Sequence, residues 1–108
     1  MKYRLPLSFP ARRAMTKLGQ DLSRARRRRQ ITQASLAERT GVSQATIKRL
    51  EAGDPRVSLE ALARVLFVLG ELTRLERLLD TGDDELGLVL MDQALPKRVR
   101  TRQRSGAL

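Results

Sequence analysis

The sequence predicts an all-α fold of five helices, with a short sixth behind them and a basic segment at either end. Three observations lead there. Apolar residues recur at helical spacing, as in Leu18, Leu22 and Ala25, and do not alternate as a strand would require. Chain breakers fall between the periodic segments, at Gly41, at Gly53-Asp54-Pro55 and at Gly70. Aromatic residues make up only 3% of the chain, so Leu, Val, Ile and Ala must build the core, which suits helices packed on helices.

Residues 1–14 hold Pro6, Pro10, four Lys or Arg and no helical period, and read as an extended basic arm. The first helix is expected from Met15 or Thr16 to Gln30, with Leu18, Leu22 and Ala25 inward. Arg24 and Arg26 to Arg29 cannot all face one way, because successive residues turn by about 100°. Some are expected beside the partner and the rest in solvent. The second helix is expected over 33–40, capped by Thr32 and stopped by Gly41, where the chain must enter the left-handed region. Val42 plugs the connection, and Ser43 caps a third helix over 44–52.

Ser58 caps the fourth helix, residues 59–69, whose Glu60 suits the first turn and whose Gly70 ends it. Leu59, Leu62, Ala63 and Val65 to Leu69 make it apolar nearly all round, so it should be buried on more than one side, by the domain or by a partner chain. A fifth helix over 72–79 groups Leu72, Leu75, Leu78 and Leu79 on one face. The domain should therefore span residues 15–80. Thr81-Gly82-Asp83-Asp84 reads as a turn, and residues 81–95 as a short extension with a last helix over 85–93, stopped by Pro96. The tail, residues 96–108, has little apolar content and should be disordered alone.

The window Ile31 to Gly53 reads as a helix-turn-helix. With Ile47 and Leu50 turned inward, helical rotation sends Ala45, Lys48, Arg49 and Ala52 to the opposite face and leaves Gln44 at its N-terminal edge. Gln pairs bidentately with adenine and Arg with guanine, while Ala45 can touch a thymine methyl. Ser43 and Thr46 are expected on the phosphate backbone, where contacts position a protein without reading sequence. Glu51 should pair with a nearby Arg or stand clear of the DNA.

The charge pattern agrees. The net charge is +10, yet residues 31–96 carry 7 basic and 11 acidic side chains. Residues 1–30 carry 10 Lys or Arg against Asp21 alone, and residues 97–108 carry 5 and no acid. Basicity confined to the ends is the electrostatic footprint of a phosphate-binding protein.

Other functions are disfavoured. The scarcity of aromatics argues against single-stranded nucleic acid, whose bases stack on aromatic platforms. With no Cys or His, no Gly-rich phosphate loop and no metal spacing, no enzyme activity, cofactor or metal is expected, and Asp83, Asp84 and Glu85 read as a turn and helix start. The absence of Cys, of a signal-like start and of an 18-residue apolar run leads to the expectation of a cytoplasmic protein without membrane association.

Thr32-Gln33, Leu36-Ala37, Gly41-Val42-Ser43, Gln44, Ile47, Leu50-Glu51 and Gly53 together resemble the Cro and lambda repressor family of helix-turn-helix regulators over about Leu18 to Leu69. The resemblance implies a lambda-repressor-like domain binding double-stranded, palindromic DNA as a homodimer. It also implies base reading by Gln44, Ala45 and Arg49 and a phosphate contact by Gln33, while Lys48, exposed by the same helical rotation, is expected on a base or a phosphate. The surplus apolar surface of the fourth and fifth helices, at Leu72, Leu75 and Leu79, is the expected dimer interface, the alternative being that these residues only close the core of one chain. The flanks, TIKRLEAGDPRVSLEALARVLFVLG and LPKRVR, are similar to HipB-type antitoxins, which repress their own operons and bind a HipA-type kinase toxin. The alternative is a free-standing regulator without a toxin.

Overall fold

The computed structural model describes residues 5–83, 85–90 and Ala94. The helices are α1 (Phe9–Arg28), α2 (Gln33–Thr40), α3 (Gln44–Glu51), α4 (Leu59–Leu69), α5 (Leu72–Glu76) and α6 (Glu85–Leu90), with a 3-10 turn at Thr81–Asp83. No strand occurs among the described residues. The chain divides into two compact units, Met1–Leu75 and Glu76–Leu108.

The first unit follows from local signals closed by one core. Thr32, Ser43 and Ser58 each accept a hydrogen bond from the backbone N–H three residues on, at 3.0, 3.1 and 3.1 Å, and so cap α2, α3 and α4. Gly41 and Gly70 end α2 and α4 with φ of 75° and 79°, a conformation that costs a residue bearing Cβ about 1 kcal/mol or more. Leu22, Ile31, Leu36, Ile47, Leu50, Val65 and Leu69 then meet in the centre. Burying a side chain as completely as Leu36, Ile47 or Val65 stabilises the fold by roughly 1.5–3 kcal/mol.

Several expectations are corrected. Helix α1 begins at Phe9, so the extended arm expected over residues 1–14 does not reach Ala14. Ser8 caps it, accepting from the Ala11 N–H at 3.3 Å, and Pro10 lies in the first turn, where its missing N–H and fixed φ do no harm. The helix stops at Arg28, and Gln30 enters the left-handed region at φ 57°. Helix α5 ends at Glu76, so Leu78 and Leu79, 71% and 95% exposed, fall outside the helix meant to carry them. In α4 the domain covers one side only: Ala61, Val65 and Leu69 face the core, whereas Leu59 and Phe67 are 75% and 69% exposed, so of the two covers expected for this helix the domain does not supply the second.

Gly19 is buried where α1 crosses the end of α3, and a Cβ there would meet the Glu51 and Leu50 carbonyl oxygens at 2.5 and 2.7 Å. Within the second unit, Arg77 pairs with Asp80 at 3.6 Å and the Gly82 N–H donates to Asp80 Oδ1 at 3.2 Å, leading into the 3-10 turn. Met1 to Arg4, Asp84, the expected end of the last helix at Gln93, its stop at Pro96 and the tail over 96–108 lie outside the described residues. No helix among the described residues is long and apolar enough to cross a membrane.

Candidate nucleic-acid interface

Helix α3 has one side fixed in the core and one side in solvent. Ile47 and Leu50 are 0% and 7% exposed, while Gln44, Ala45, Lys48 and Arg49 are all exposed along the other side. This is the division that rotation about the helix axis requires. At its N-terminus the Ser43 hydroxyl accepts from the Thr46 N–H and donates to Thr46 Oγ1 at 2.9 Å, so both side chains close the cap. Ser43 is exposed and Thr46 half-buried. The side chains of Gln44 and Lys48 have no hydrogen-bond or ion-pair partner among the described residues, so both can engage a ligand without breaking an internal contact.

The inner side of α3 is pinned by a buried charge network. Arg26 Nε donates to Glu51 Oε2 at 2.6 Å and its Nη2 to Oε1 at 3.0 Å, with both side chains nearly buried. Arg26 Nη1 donates to the Ile31 carbonyl at 2.9 Å, and the Ile31 N–H donates back to the Arg26 carbonyl at 3.2 Å. The bidentate pair raises the Arg26 pKa through its bonds to Glu51. Burial by itself would push the Glu51 carboxyl up, but the Arg26 bonds, helped by Gln33 and Ser23, outweigh it and hold Glu51 below its ordinary range. Arg26 had been expected beside the DNA or in solvent. It lies inside because Leu22 and Arg26, four residues apart, share the buried face of α1 with Gly19.

Gln33 joins this network, its Nε2 donating to Glu51 Oε1 at 2.9 Å. The residue expected on a phosphate is thus half-buried at the start of α2 and tied to the end of α3. One proton of its amide is used there, and the second remains available.

On the outer side Arg49 Nε donates to Asp54 Oδ2 at 3.0 Å. Asp54 also accepts from Arg56, at Oδ1 from its N–H and Nε (2.9 and 3.2 Å) and at Oδ2 from Nη2 (3.3 Å). These bonds, those of Arg56 first, hold the Asp54 carboxyl far below the usual carboxylate range. Sequence reading missed Asp54, because in Gly53-Asp54-Pro55 it looks like part of a chain break. An open groove of about 730 Å³ adjoins this corner, with Arg12, Thr16 and Arg56 among its lining residues. Gly53 makes the corner close-packed: at φ 82°, its missing Cβ would meet Thr16 Cα at 2.7 Å.

Of the arginine run, Arg29 pairs with Glu71 at 3.2 Å and Arg27 bonds to Ser23, so part of the basicity of α1 serves internal contacts. Leu72 and Leu75 are half-buried in α5.

No curated protein and no solved structure matches the chain. A family model described as a helix-turn-helix domain matches residues 17–87. That segment contains α2, the turn at Gly41 and the half-exposed α3 with every residue of its outward face, and it covers well over half of the sequence. The chain therefore belongs to the helix-turn-helix domain family of DNA-binding regulators.

Proposed function

We propose that the chain is a sequence-specific transcriptional repressor that acts in the cytoplasm by binding and without catalysis. In this reading Gln44, Ala45, Lys48 and Arg49 read base edges in the major groove, and Gln33, Ser43 and Thr46 contact the backbone. The observation that carries it is the unbroken exposed row on α3, set on a helix whose other side is buried. One such helix spans only a few base pairs, so two copies read a palindrome with half-sites about 34 Å apart. On α5, Leu72 and Leu75 keep part of their surface in solvent and are the proposed contact between copies; Leu79, the third residue expected there, lies beyond the end of that helix.

The test is binding to a duplex selected from a random pool, measured across salt concentrations and against single-base variants. Affinity should fall steeply as salt rises. Arg49→Ala should relax discrimination at one position per half-site, and Gln33→Ala should weaken all sequences alike. Equal losses on every sequence after Arg49→Ala would remove it from the reading face. Light scattering should show a dimer that Leu75→Asp dissociates, and a wild-type monomer at micromolar concentration would refute the dimer.

The resemblance of the flanks to HipB-type antitoxins supports a narrower role, repression of an operon that also encodes a HipA-like kinase toxin bound by this chain. A purified kinase encoded beside this gene should co-elute with the chain. Failure to do so leaves a free-standing regulator.

A further inference from the structure

We propose that Asp54 is a positioning residue that presents Arg49 to guanine and so sets how sharply the protein discriminates the base pair that Arg49 reads. The proposal rests on Arg49 being a base reader. Its basis is the way the end of α3 closes. Gly53, in the left-handed conformation, donates to the Leu50 carbonyl at 3.0 Å, and the Asp54 N–H donates to the carbonyl of Arg49 itself, also at 3.0 Å. The backbone thereby fixes residue 54 against residue 49 before their side chains meet.

The side chains then meet in one way. Asp54 takes Arg49 through Nε only, and Nη1 and Nη2 of Arg49 have no partner among the described residues. Guanine offers O6 and N7 to two parallel N–H donors, which the two terminal nitrogens can supply end-on. Arg49 is 48% exposed and Asp54 only 14%, so the brace lies inside and the fork outside. The brace is itself anchored, since Arg56 donates to it from its N–H and its guanidinium.

Two consequences act in the same direction. An arginine already held at Nε loses fewer rotamers on binding its base, which favours the matched site. A fixed carboxylate at the rim of the reading face repels phosphate on every sequence, which disfavours unmatched DNA. Asp54 therefore widens the gap between specific and non-specific binding.

The experiment compares Asp54→Asn, Asp54→Glu, Arg49→Ala and the double variant Arg49→Ala/Asp54→Asn with wild type in the full chain, after melting curves confirm folding. The probes are the pool-selected duplex, its single-base variants and an unrelated duplex. Asp54→Asn should cut discrimination about tenfold at the position where Arg49→Ala loses it, with affinity for the unrelated duplex unchanged or raised. Asp54→Glu keeps the charge but moves the brace, and should lose discrimination with wild-type affinity for the unrelated duplex. In the Arg49→Ala background, Asp54→Asn should remove nothing more. Uniform weakening on all duplexes, retained discrimination in both Asp54 variants, or a full further loss without Arg49 would overturn the role of Asp54. If Arg49→Ala itself loses no discrimination, the reading of Arg49 fails and the proposal falls with it.

Discussion

Two arginine–carboxylate pairs flank α3, and they differ mainly in the amount of water around them. Arg26 and Glu51, on the inner side, are 11% and 9% exposed. Arg49 and Asp54, on the outer side, are 48% and 14% exposed. Inside, neither charge can be left alone, because water cannot replace the missing partner. Outside, water can, so the contact constrains direction more than stability. The contrast separates the half of the helix that must stay constant from the half that can vary with the DNA it reads.

The sharpest way to break this contrast is to remove Arg26. Arg26→Ala leaves Glu51 buried without its cation and should destabilise the domain by about 3–5 kcal/mol, lowering Tm by roughly 15 °C or more in a calorimetric melt. A loss below about 1 kcal/mol would make the inner pair equivalent to the outer one. Acid should act on the same pair. The folded Glu51 pKa lies below the ordinary value of 4.5, so its stabilisation is complete above that value and is lost as pH falls through the folded one. Chemical denaturation from pH 6 down to pH 2 should show this decline, and Glu51→Gln should flatten it.

Next in size is Gly19→Ala. Its Cβ would press on backbone carbonyls of α3 that no rotamer change can move away, at a cost of about 1–3 kcal/mol in a urea titration. Ser43→Ala, which removes the cap of α3, should cost about 1 kcal/mol and speed hydrogen exchange most in the first turn of that helix, at the Thr46 N–H. Smallest is Arg49→Ala. It should change stability by no more than about 0.5 kcal/mol while abolishing discrimination at one base pair, and a stability loss as large as that of Arg26→Ala would erase the distinction.

What was legible in the sequence was what neighbours along the chain decide. Thr32, Ser43 and Ser58 were readable as caps, Gly41 and Gly70 as stops, and the bounds of α2 and α4 follow from them. The outward set on α3 was readable because Ile47 and Leu50 fix the rotation of a short helix. The start of α1 was not, since Pro10 looks like a breaker unless Ser8 is recognised as its cap. Arg26 was hidden among three other arginines that differ from it only in which way they face. Its position four residues after Leu22 was the available signal. Gly19 and Asp54 owe their roles to groups brought close by folding or by a turn, the Glu51 carbonyl in one case and the Arg49 guanidinium in the other. No local pattern announces either.

Arg64 carries a consequence for engineering. From α4 its Nη1 donates to the Thr40 carbonyl at 3.0 Å, closing the open end of α2, while Val65 beside it is 1% exposed in the core. The reading head is therefore not a portable cassette of two helices. Cut out alone, α2 and α3 would lose Arg64 from one end, Arg26 from the other and the apolar floor beneath both. A graft onto another scaffold has to carry Ser8 through Gly70 whole, and new operator preferences are best installed by exchanging side chains on α3 rather than by moving the helix.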